Sequence, residues 1–242
     1  MRNLLNVFIV VSFAVLLLSV WNRNSLPGAI DYVASIANEP EQSASESAPF
    51  DVEWDGIQYR ISPEYDYDLT GMVVSFRHHD DNSRMHRLAG DHLNMLDVCV
   101  VWGDNTSGAQ LDKIDFWNGI FTCNVKTRDQ AAWESFDMQQ LSNNHLLSDD
   151  EYVRDRVRDL QVGDQIRVRG YLASYESPGG RRGTSTTRTD TGDGACETIY
   201  VQQFELLART TNAWRISAYL SAIALVGALL MYFRRPFKSH LS

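Results

Sequence analysis

The sequence predicts a mainly β domain carried between two transmembrane helices. Residues 4–21 and 216–233 are uncharged apolar runs of 18 residues each. A helix of that length spans about 27 Å, close to the hydrocarbon thickness of a bilayer. Between the runs, short segments of alternating apolar and polar residues are separated by turn residues, which is typical of a β domain. Asp55-Gly56, between two such segments, is a strong β-hairpin signal.

The clearest strand follows a glycine turn at residues 162–164. Gly163 supplies the positive φ that a helix end needs, and the strand then alternates between apolar and polar side chains. Its polar face carries Arg167, Arg169 and Tyr171. A helix end, a glycine turn and an alternating strand in this order resemble the fourth strand of an OB-fold, a small five-stranded barrel. The resemblance is to a fold, and a fold does not fix a function.

The resemblance implies an OB-like five-stranded barrel over residues 67–208, with a helical insertion between strands 3 and 4. Besides strand four, the expected strands are Tyr67–Phe76, Leu96–Trp102, Phe116–Lys126 and Cys196–Leu207. Two capping boxes start the helices of the insertion, Thr127 with Gln130 and Ser148 with Glu151. Five apolar residues of the insertion are expected to plug the barrel end: Trp133, Phe136, Leu141, Leu146 and Leu147. The other parts are a linker (22–49), an N-terminal hairpin (50–66) and a tether (209–215).

The ends of the chain predict its topology. A cleaved signal peptide is the alternative for the first run, but the run is longer than the usual apolar core and Trp21 ends it without a small-x-small cleavage pattern, so we expect an anchor. More basic residues lie on the outer ends of the two runs (Arg2, Arg234, Arg235 and Lys238) than on the inner flanks (Arg23, Arg209 and Arg215). This bias predicts cytoplasmic tails at 1–3 and 234–242, with the central domain periplasmic or extracellular at a bacterial inner (cell) membrane.

The charge of the central segment bears on its partners. All 31 acidic residues and 16 of the 22 basic residues lie between residues 24 and 212, which gives this segment a net charge of −15. Binding of nucleic acid normally requires a basic groove that displaces counterions. We therefore expect no nucleic acid as ligand, and another membrane or envelope protein as partner.

The loop that follows strand four is the strongest candidate for recognition. It is rich in Gly, Ser and Thr, and it concentrates Arg181, Arg182 and Arg188 in an otherwise acidic domain. OB-folds use the loop between strands four and five to grip ligands. We expect these arginines, with Arg167, Arg169 and Tyr171 of strand four, to bind a ligand or partner. A mobile surface loop is the alternative.

A histidine-rich stretch offers a second function. His78, His79, His86 and His92, with nearby aspartates, are ligand types for zinc or another transition metal. The alternative function is therefore a metal-dependent enzyme at the membrane surface. The spacing favours a solvated loop instead, because adjacent His78 and His79 would point in opposite directions on a strand. We expect no bound cofactor.

The three cysteines suggest one disulfide in an oxidising compartment. Cys99 lies in an apolar strand and is interpreted as a core residue, so Cys123 with Cys196 is the preferred pair. The sequence contains no nucleophile elbow, phosphate loop or dinucleotide fingerprint. This favours a binding or assembly role, and no catalytic residue is predicted.

The second apolar run carries a stripe of small residues. Ser217, Ser221, Ala224 and Ala228 recur on one side of the helix. Small side chains let helix backbones approach closely in lipid. The stripe predicts a packed interface with the first anchor or with another subunit.

Overall fold

The computed structural model describes residues 2–79, 91–119, 122–187 and 196–234. The structure is mostly β sheet and has two long apolar helices, one near each end of the chain. The described α-helices are α1 (Arg2–Trp21), α2 (Gln130–Glu134), α3 (Glu151–Arg158) and α4 (Ala213–Phe233). The described strands are β1 (Glu41–Ala44), β2 (Phe50–Trp54), β3 (Ile57–His78), β4 (Asn94–Val101), β5 (Ile114–Asn118), β6 (Cys123–Thr127), β7 (Leu141–Leu147), β8 (Gln165–Ser177), β9 (Gly180–Arg182) and β10 (Glu197–Ala208). Residues 28–210 form one compact unit, and residues 1–27 with 211–242 form another.

The long strand β3 organises the sheet of the central unit. One edge of β3 pairs antiparallel with β8, from Arg60 opposite Glu176 to Met72 opposite Gln165. The other edge pairs in succession with β2, β1 and β4. Asp55 at positive φ and Gly56 form the β2–β3 turn, as the Asp-Gly signal predicts.

The remaining pairings lead from β4 back to β8. Among the described residues, β4 pairs with β7, β7 runs parallel to β10, and β10 pairs antiparallel with β8. Because β8 also pairs with β3, each of β3, β4, β7, β10 and β8 has two neighbours in this set. A short β9 continues the sheet from β8, and β5 and β6 form a separate hairpin.

The third predicted strand is wrong. Residues 114–127, which include the predicted Phe116–Lys126, form the separate β5–β6 hairpin, and the strand between β4 and β10 is β7. The sequence assigned Leu141–Leu147 to the helical insertion because the segment Ser-Asn-Asn-His does not alternate between apolar and polar side chains. Both faces of β7 are buried in the structure, and the polar residues have polar partners, so the period-two signal is lost.

The predicted linker is also more ordered than its composition suggests. Within residues 22–49, Glu41–Ala44 form β1, which pairs with Tyr65–Asp68 of β3. Ile36 lies in a short 3-10 helix and is 1% exposed. The edge of β3 supplies backbone hydrogen-bond partners for this polar segment, and composition alone cannot reveal such a partner.

The apolar core lies between the sheet and α3. Val153 and Val157 of α3, with Leu160 behind it, pack against inward residues such as Leu69, Val98 and Leu146. Both helices start two residues later than the capping boxes predict, because Asp129 and Asp150, not Thr127 and Ser148, accept the capping hydrogen bonds. Of the predicted plug, Leu146 and Leu147 are fully buried through β7, whereas Trp133 is 51% exposed.

The two terminal helices pack on each other within their own unit. In α1 the more buried positions are Leu5, Ile9, Ser12, Leu16 and Ser19, a spacing of alternating four and three residues. In α4 the buried Ser221 and Ala228 belong to the small stripe. The side chain of Asn212 caps α4 and donates to the backbone oxygens of Arg23 and Ser25, which places the end of α1 beside the start of α4. The predicted interface is therefore formed with the first helix.

Gly170 allows two strands to approach closely, and this predicts a strong position-specific effect. A Cβ at Gly170 would lie 2.0 Å from the carbonyl oxygen of Tyr200 on β10, which no rotamer change can relieve. Gly170→Ala should lower the free energy of unfolding by at least about 3 kcal/mol, because the β8–β10 pairing must shift. Gly183→Ala, where a Cβ meets no atom within 4 Å, is the control and should change it by less than about 0.5 kcal/mol. Urea unfolding in mild detergent measures both, and equal stabilities would refute this packing.

The helix pair predicts an asymmetric response to added volume. Ala228 is 1% exposed, whereas Val226, two residues before it, is 57% exposed. Ala228→Leu should overpack the α1–α4 contact and lower the thermal midpoint in detergent by several degrees, since overpacking costs about 1–3 kcal/mol. Val226→Leu is the matched control and should leave the midpoint unchanged. A similar midpoint for both variants would mean that the small stripe does not pack on α1.

Candidate functional site

The arginines predicted on strand four are paired with one carboxylate of β3. Arg167 binds Asp68 through two parallel hydrogen bonds, Nε to Oδ1 at 2.8 Å and Nη2 to Oδ2 at 2.6 Å. Arg169 Nε donates to Asp68 Oδ2 at 3.0 Å. The hydrogen bond from Arg167 lowers the pKa of the Asp68 carboxyl, burial opposes this, and Arg169 adds to it. These two arginines therefore have a carboxylate partner and do not form a bare anion site.

A polar groove lies beside this ion pair. Its volume is about 430 Å³, and β1, β3 and β8 supply most of its wall. Tyr171 projects into the groove, where its hydroxyl accepts hydrogen bonds from Ser47 Oγ at 3.0 Å and Gln202 Nε2 at 3.3 Å. The lining residues are Glu41, Gln42, Ser43, Ser47, Asp66, Tyr67, Asp68, Arg169, Gly170, Tyr171 and Gln202. Carboxylates outnumber cations along this wall, so the groove is acidic.

Two arginines of the predicted recognition loop, Arg181 and Arg182, lie in β9, which pairs with the end of β8. Arg182 Nε is 3.1 Å from Oδ2 of the buried Asp91, and that oxygen also accepts the Tyr175 hydroxyl at 2.8 Å. Burial raises the pKa of Tyr175, and Asp91 adds to the rise. Arg181 is exposed, with its Nε 3.7 Å from Glu176 Oε1. Arg188 lies outside the described residues.

The predicted histidine cluster is divided between different partners. His79 Nε2 lies 2.8 Å from Asp97 Oδ2, whereas His92 Nδ1 binds Asp55 in the β2–β3 turn. The ring of His78 contacts Phe76. His86 lies outside the described residues. Within the described ranges, no group of three or more His, Cys, Asp or Glu side chains is arranged to hold a metal ion, so the metal alternative gains no support there.

A second polar cluster, which sequence reasoning missed, surrounds Asp97 of β4. The carboxylate is 1% exposed and binds two imidazoles, Nε2 of His79 and Nδ1 of His145, and it also accepts from Asn94 Nδ2 at 3.3 Å. Burial works against the charged carboxylate, but the hydrogen bonds from His145 and His79 hold the pKa of Asp97 well below its usual range. A buried charge with this many partners is expected to remain ionised.

The thiol of Cys196 lies close to Asn143 and His145. Asn143 Nδ2 is 3.2 Å from Cys196 Sγ, and the β7–β10 register puts His145 two residues further along the same face, where it interacts electrostatically with the thiol. Burial disfavours the charged imidazole, but Asp97 and Cys196 outweigh it and raise the pKa of His145 to about 9. At neutral pH His145 is therefore a cation between a carboxylate and a thiol.

The strand register explains why these side chains meet. Asp97 is opposite His145 and Cys99 is opposite Asn143 across β4 and β7. Glu197 of β10 is opposite Asn144, so Cys196 comes level with Asn143. Side chains alternate along a strand, and Val98 belongs to the apolar core, so this polar row occupies the opposite face of the sheet. The β5–β6 hairpin covers the row, with Asn118 contacting Ser75 and Asn143.

The disulfide joins Cys99 to Cys123, so the predicted pair Cys123 with Cys196 is wrong. The two Cα atoms are 5.8 Å apart, within the range that a disulfide requires. Cys99 was interpreted as a core residue because it lies in a largely apolar strand. It is fully buried, but on the face of β4 away from the main core, where the β5–β6 hairpin brings Cys123 over it. Cys196 lies outside this bridge.

Two local signals could have revealed the cluster. Asp97 interrupts an otherwise apolar strand, and a buried carboxylate requires cationic or hydrogen-bonding partners. Asn143 and His145 stand two residues apart, which places both on one face once residues 141–147 are recognised as a strand. Both signals depend on correct pairing of β4 with β7.

The His145–Asp97 pair predicts a loss of stability with rising pH. A histidine whose folded-state pKa is raised from 6.5 to about 9 stabilises the fold fully below pH 6.5 and loses this contribution as pH rises through 9. The free energy of unfolding should fall by on the order of 1–3 kcal/mol across this window. In His145→Gln the fall should be smaller, whereas His92→Gln, altered at the Asp55 contact, should retain the full dependence. Urea unfolding at a series of pH values measures this, and parallel profiles for wild type and His145→Gln would contradict it.

Comparisons of the chain with protein-family models, with curated proteins and with solved structures gave no match. The groove offers a surface for binding, and the polar cluster offers a thiol beside a charged imidazole.

Proposed function

We propose that the chain is a doubly anchored membrane protein whose extracytoplasmic, OB-like domain binds a partner protein or an envelope ligand. The observation that carries this proposal is the groove of about 430 Å³ along β1, β3 and β8. A concave surface with convergent polar groups and an aromatic ring is the usual form of a binding site.

The strand pairings support an OB-like interpretation of the central domain. The order β3, β4, β7, β10, β8 and back to β3, with β7 parallel to β10, is the order that a five-stranded OB barrel would have. The α3 helix lies in the chain between β7 and β8, where such a barrel carries its helix. On this interpretation β1, β2 and the β5–β6 hairpin are additions, and the groove borders the first and fourth barrel strands.

Two observations support a location outside the cytoplasm. The basic residues favour the outer ends of the two apolar helices, which directs both tails to the cytoplasm of a bacterial cell. The Cys99–Cys123 disulfide is the kind of bond that persists in oxidising compartments such as the periplasm. Together they favour an inner-membrane protein with its central domain in the periplasm or outside the cell.

The groove lining favours a polar protein segment over a nucleic acid or a simple anion. Glu41, Asp66 and Asp68 line the groove, and Arg169, the one cation among the described residues of its lining, is bonded to Asp68. A polyanion would meet like charges here. A chain segment with amide groups and a Lys or Arg would satisfy the carboxylates, and the Tyr171 ring would contact its apolar part.

Site-specific photo-crosslinking in intact membranes tests the proposal. A photoreactive amino acid at Ser43, which is exposed in the groove, should give a defined adduct with a partner. The control is the same amino acid at Tyr152, which is 67% exposed on α3 and does not line the groove. Tyr171→Ala should reduce the Ser43 adduct at least fivefold. Equal adducts at both positions, or none from the groove, would count against a groove-bound partner.

A further inference from the structure

Cys196, His145 and Asp97 form a connected series of side chains, which we call the thiol cluster. His145 is bound to Asp97 through Nδ1, and it also interacts electrostatically with the Cys196 thiol. Asn143 Nδ2 donates to Cys196 Sγ at 3.2 Å, and Asn118 Nδ2 reaches Asn143 Oδ1 at 3.4 Å, which orients that amide. Cys196 is partly exposed, whereas His145 and Asp97 are buried. This is the order of groups found where a cysteine is activated by a histidine that a carboxylate orients.

We propose that Cys196 is a nucleophilic thiol for thiol–disulfide exchange, with His145 as the cation that stabilises its thiolate and Asp97 as the residue that positions His145. This inference does not depend on the proposed binding function, since the groove and the thiol cluster share no residue.

The electrostatics of the cluster favour the reactive form of the thiol. A thiolate beside an imidazolium is stabilised by direct charge attraction, and the thiolate is the nucleophile in exchange reactions. Asp97 binds His145 from β4, and Cys196, the residue before β10, interacts electrostatically with the same imidazole. His79 reaches the same carboxylate from the end of β3. The raised pKa of His145 is consistent with an imidazolium partner at neutral pH.

The structure also places a disulfide close to the thiol, which is why the electrophile is assigned as a disulfide. Cys99 on β4 and Cys196 before β10 flank Asn143 on the same face of the sheet. Neighbouring strands lie about 4.8 Å apart, so the two Cα atoms are separated by roughly 10 Å. Cys123, bonded to Cys99, belongs to the separate β5–β6 hairpin, whose displacement would not break the main sheet.

The reaction balances without an added oxidant or reductant. The Cys196 thiol releases its proton to water while the His145 imidazolium stabilises the thiolate, and the thiolate attacks one sulfur of a disulfide. A new S–S bond forms as the old one breaks, and the leaving sulfur departs as a thiolate that takes up a proton. The disulfide is either the Cys99–Cys123 bridge of the chain or one supplied by another molecule.

The rate of alkylation tests the activation of the thiol. Iodoacetamide is added to the full chain in mild detergent between pH 5 and 10, and mass spectrometry follows the Cys196 peptide. An ordinary thiol, with a pKa of about 8.5, is only about 0.3% thiolate at pH 6. At that pH the wild-type rate should exceed that of His145→Gln at least tenfold, with rates within twofold at pH 10. His92→Gln should behave as wild type.

Two outcomes of this measurement would overturn the proposal. One is a wild-type rate that rises tenfold per pH unit from pH 5 to 8, as an ordinary thiol requires. The other is a folded His145→Gln protein whose profile superimposes on the wild-type profile. If His145→Gln does not fold, the wild-type profile alone decides.

Disulfide mapping separates the two possible electrophiles. The native chain is incubated at pH 7 with and without oxidised glutathione, quenched with acid and digested without reduction. A Cys123–Cys196 peptide with Cys99 as a thiol would assign the chain's own bridge as electrophile. A glutathione adduct on Cys196 that forms at least tenfold faster than on an Ala48→Cys reference thiol, with Cys99–Cys123 unchanged, would assign an external disulfide. If neither product forms faster than the reference rate, the exchange reaction is refuted.

Discussion

The pairing of β3 with β8 is the constraint on which the rest of the central domain depends. It runs from Arg60 to Met72 along a single 22-residue strand, and it leaves the other edge of β3 to hold β2, β1 and β4. Gly71 and Gly170 lie within this pairing. A Cβ at Gly71 would lie 2.8 Å from a backbone atom of β4, and a Cβ at Gly170 would lie 2.0 Å from a backbone atom of β10. The groove lies over the β3–β8 pair and is bordered by β1, which pairs with the other edge of β3. The thiol cluster depends on the β3–β8 pairing indirectly, because β3 pairs with β4 and β4 pairs with β7.

Local signals predicted the parts of the fold whose structure is decided locally. The Asp-Gly turn, strand β8 with its glycine turn and the two apolar helices all lie where the sequence places them. In each case the chemistry of a few adjacent residues is sufficient, whether positive φ, period-two alternation or an uncharged apolar run. Strands β1 and β7 were missed because their order comes from partners distant in sequence. β1 is polar and β7 is buried on both faces, so neither shows alternation.

The candidate site was predicted less well, for the same physical reason. Arg167 and Arg169 were correctly placed on the polar face of β8, but their partner Asp68 lies about a hundred residues earlier and appears only through the β3–β8 register. The cysteine pairing was wrong because a largely apolar strand suggested a place in the main core for Cys99, whereas a separate hairpin covers the face of β4 that carries this residue. Asp97 and His145 become neighbours only through the β4–β7 register, so their chemistry could not be inferred from spacing.

The proposed location of the central domain outside the cytoplasm connects the disulfide, the groove and the thiol chemistry, so the orientation of the domain is the most direct test. In a Cys196→Ser background, cysteines are introduced singly at Ala48, which is exposed between β1 and β2, and at Ser242 in the C-terminal tail. Cells whose outer barrier, if present, has been opened are treated with a membrane-impermeant maleimide. Our account predicts labelling of Ala48→Cys and protection of Ser242→Cys until the membrane is dissolved in detergent. The reverse pattern would place the central domain in the cytoplasm and contradict the account.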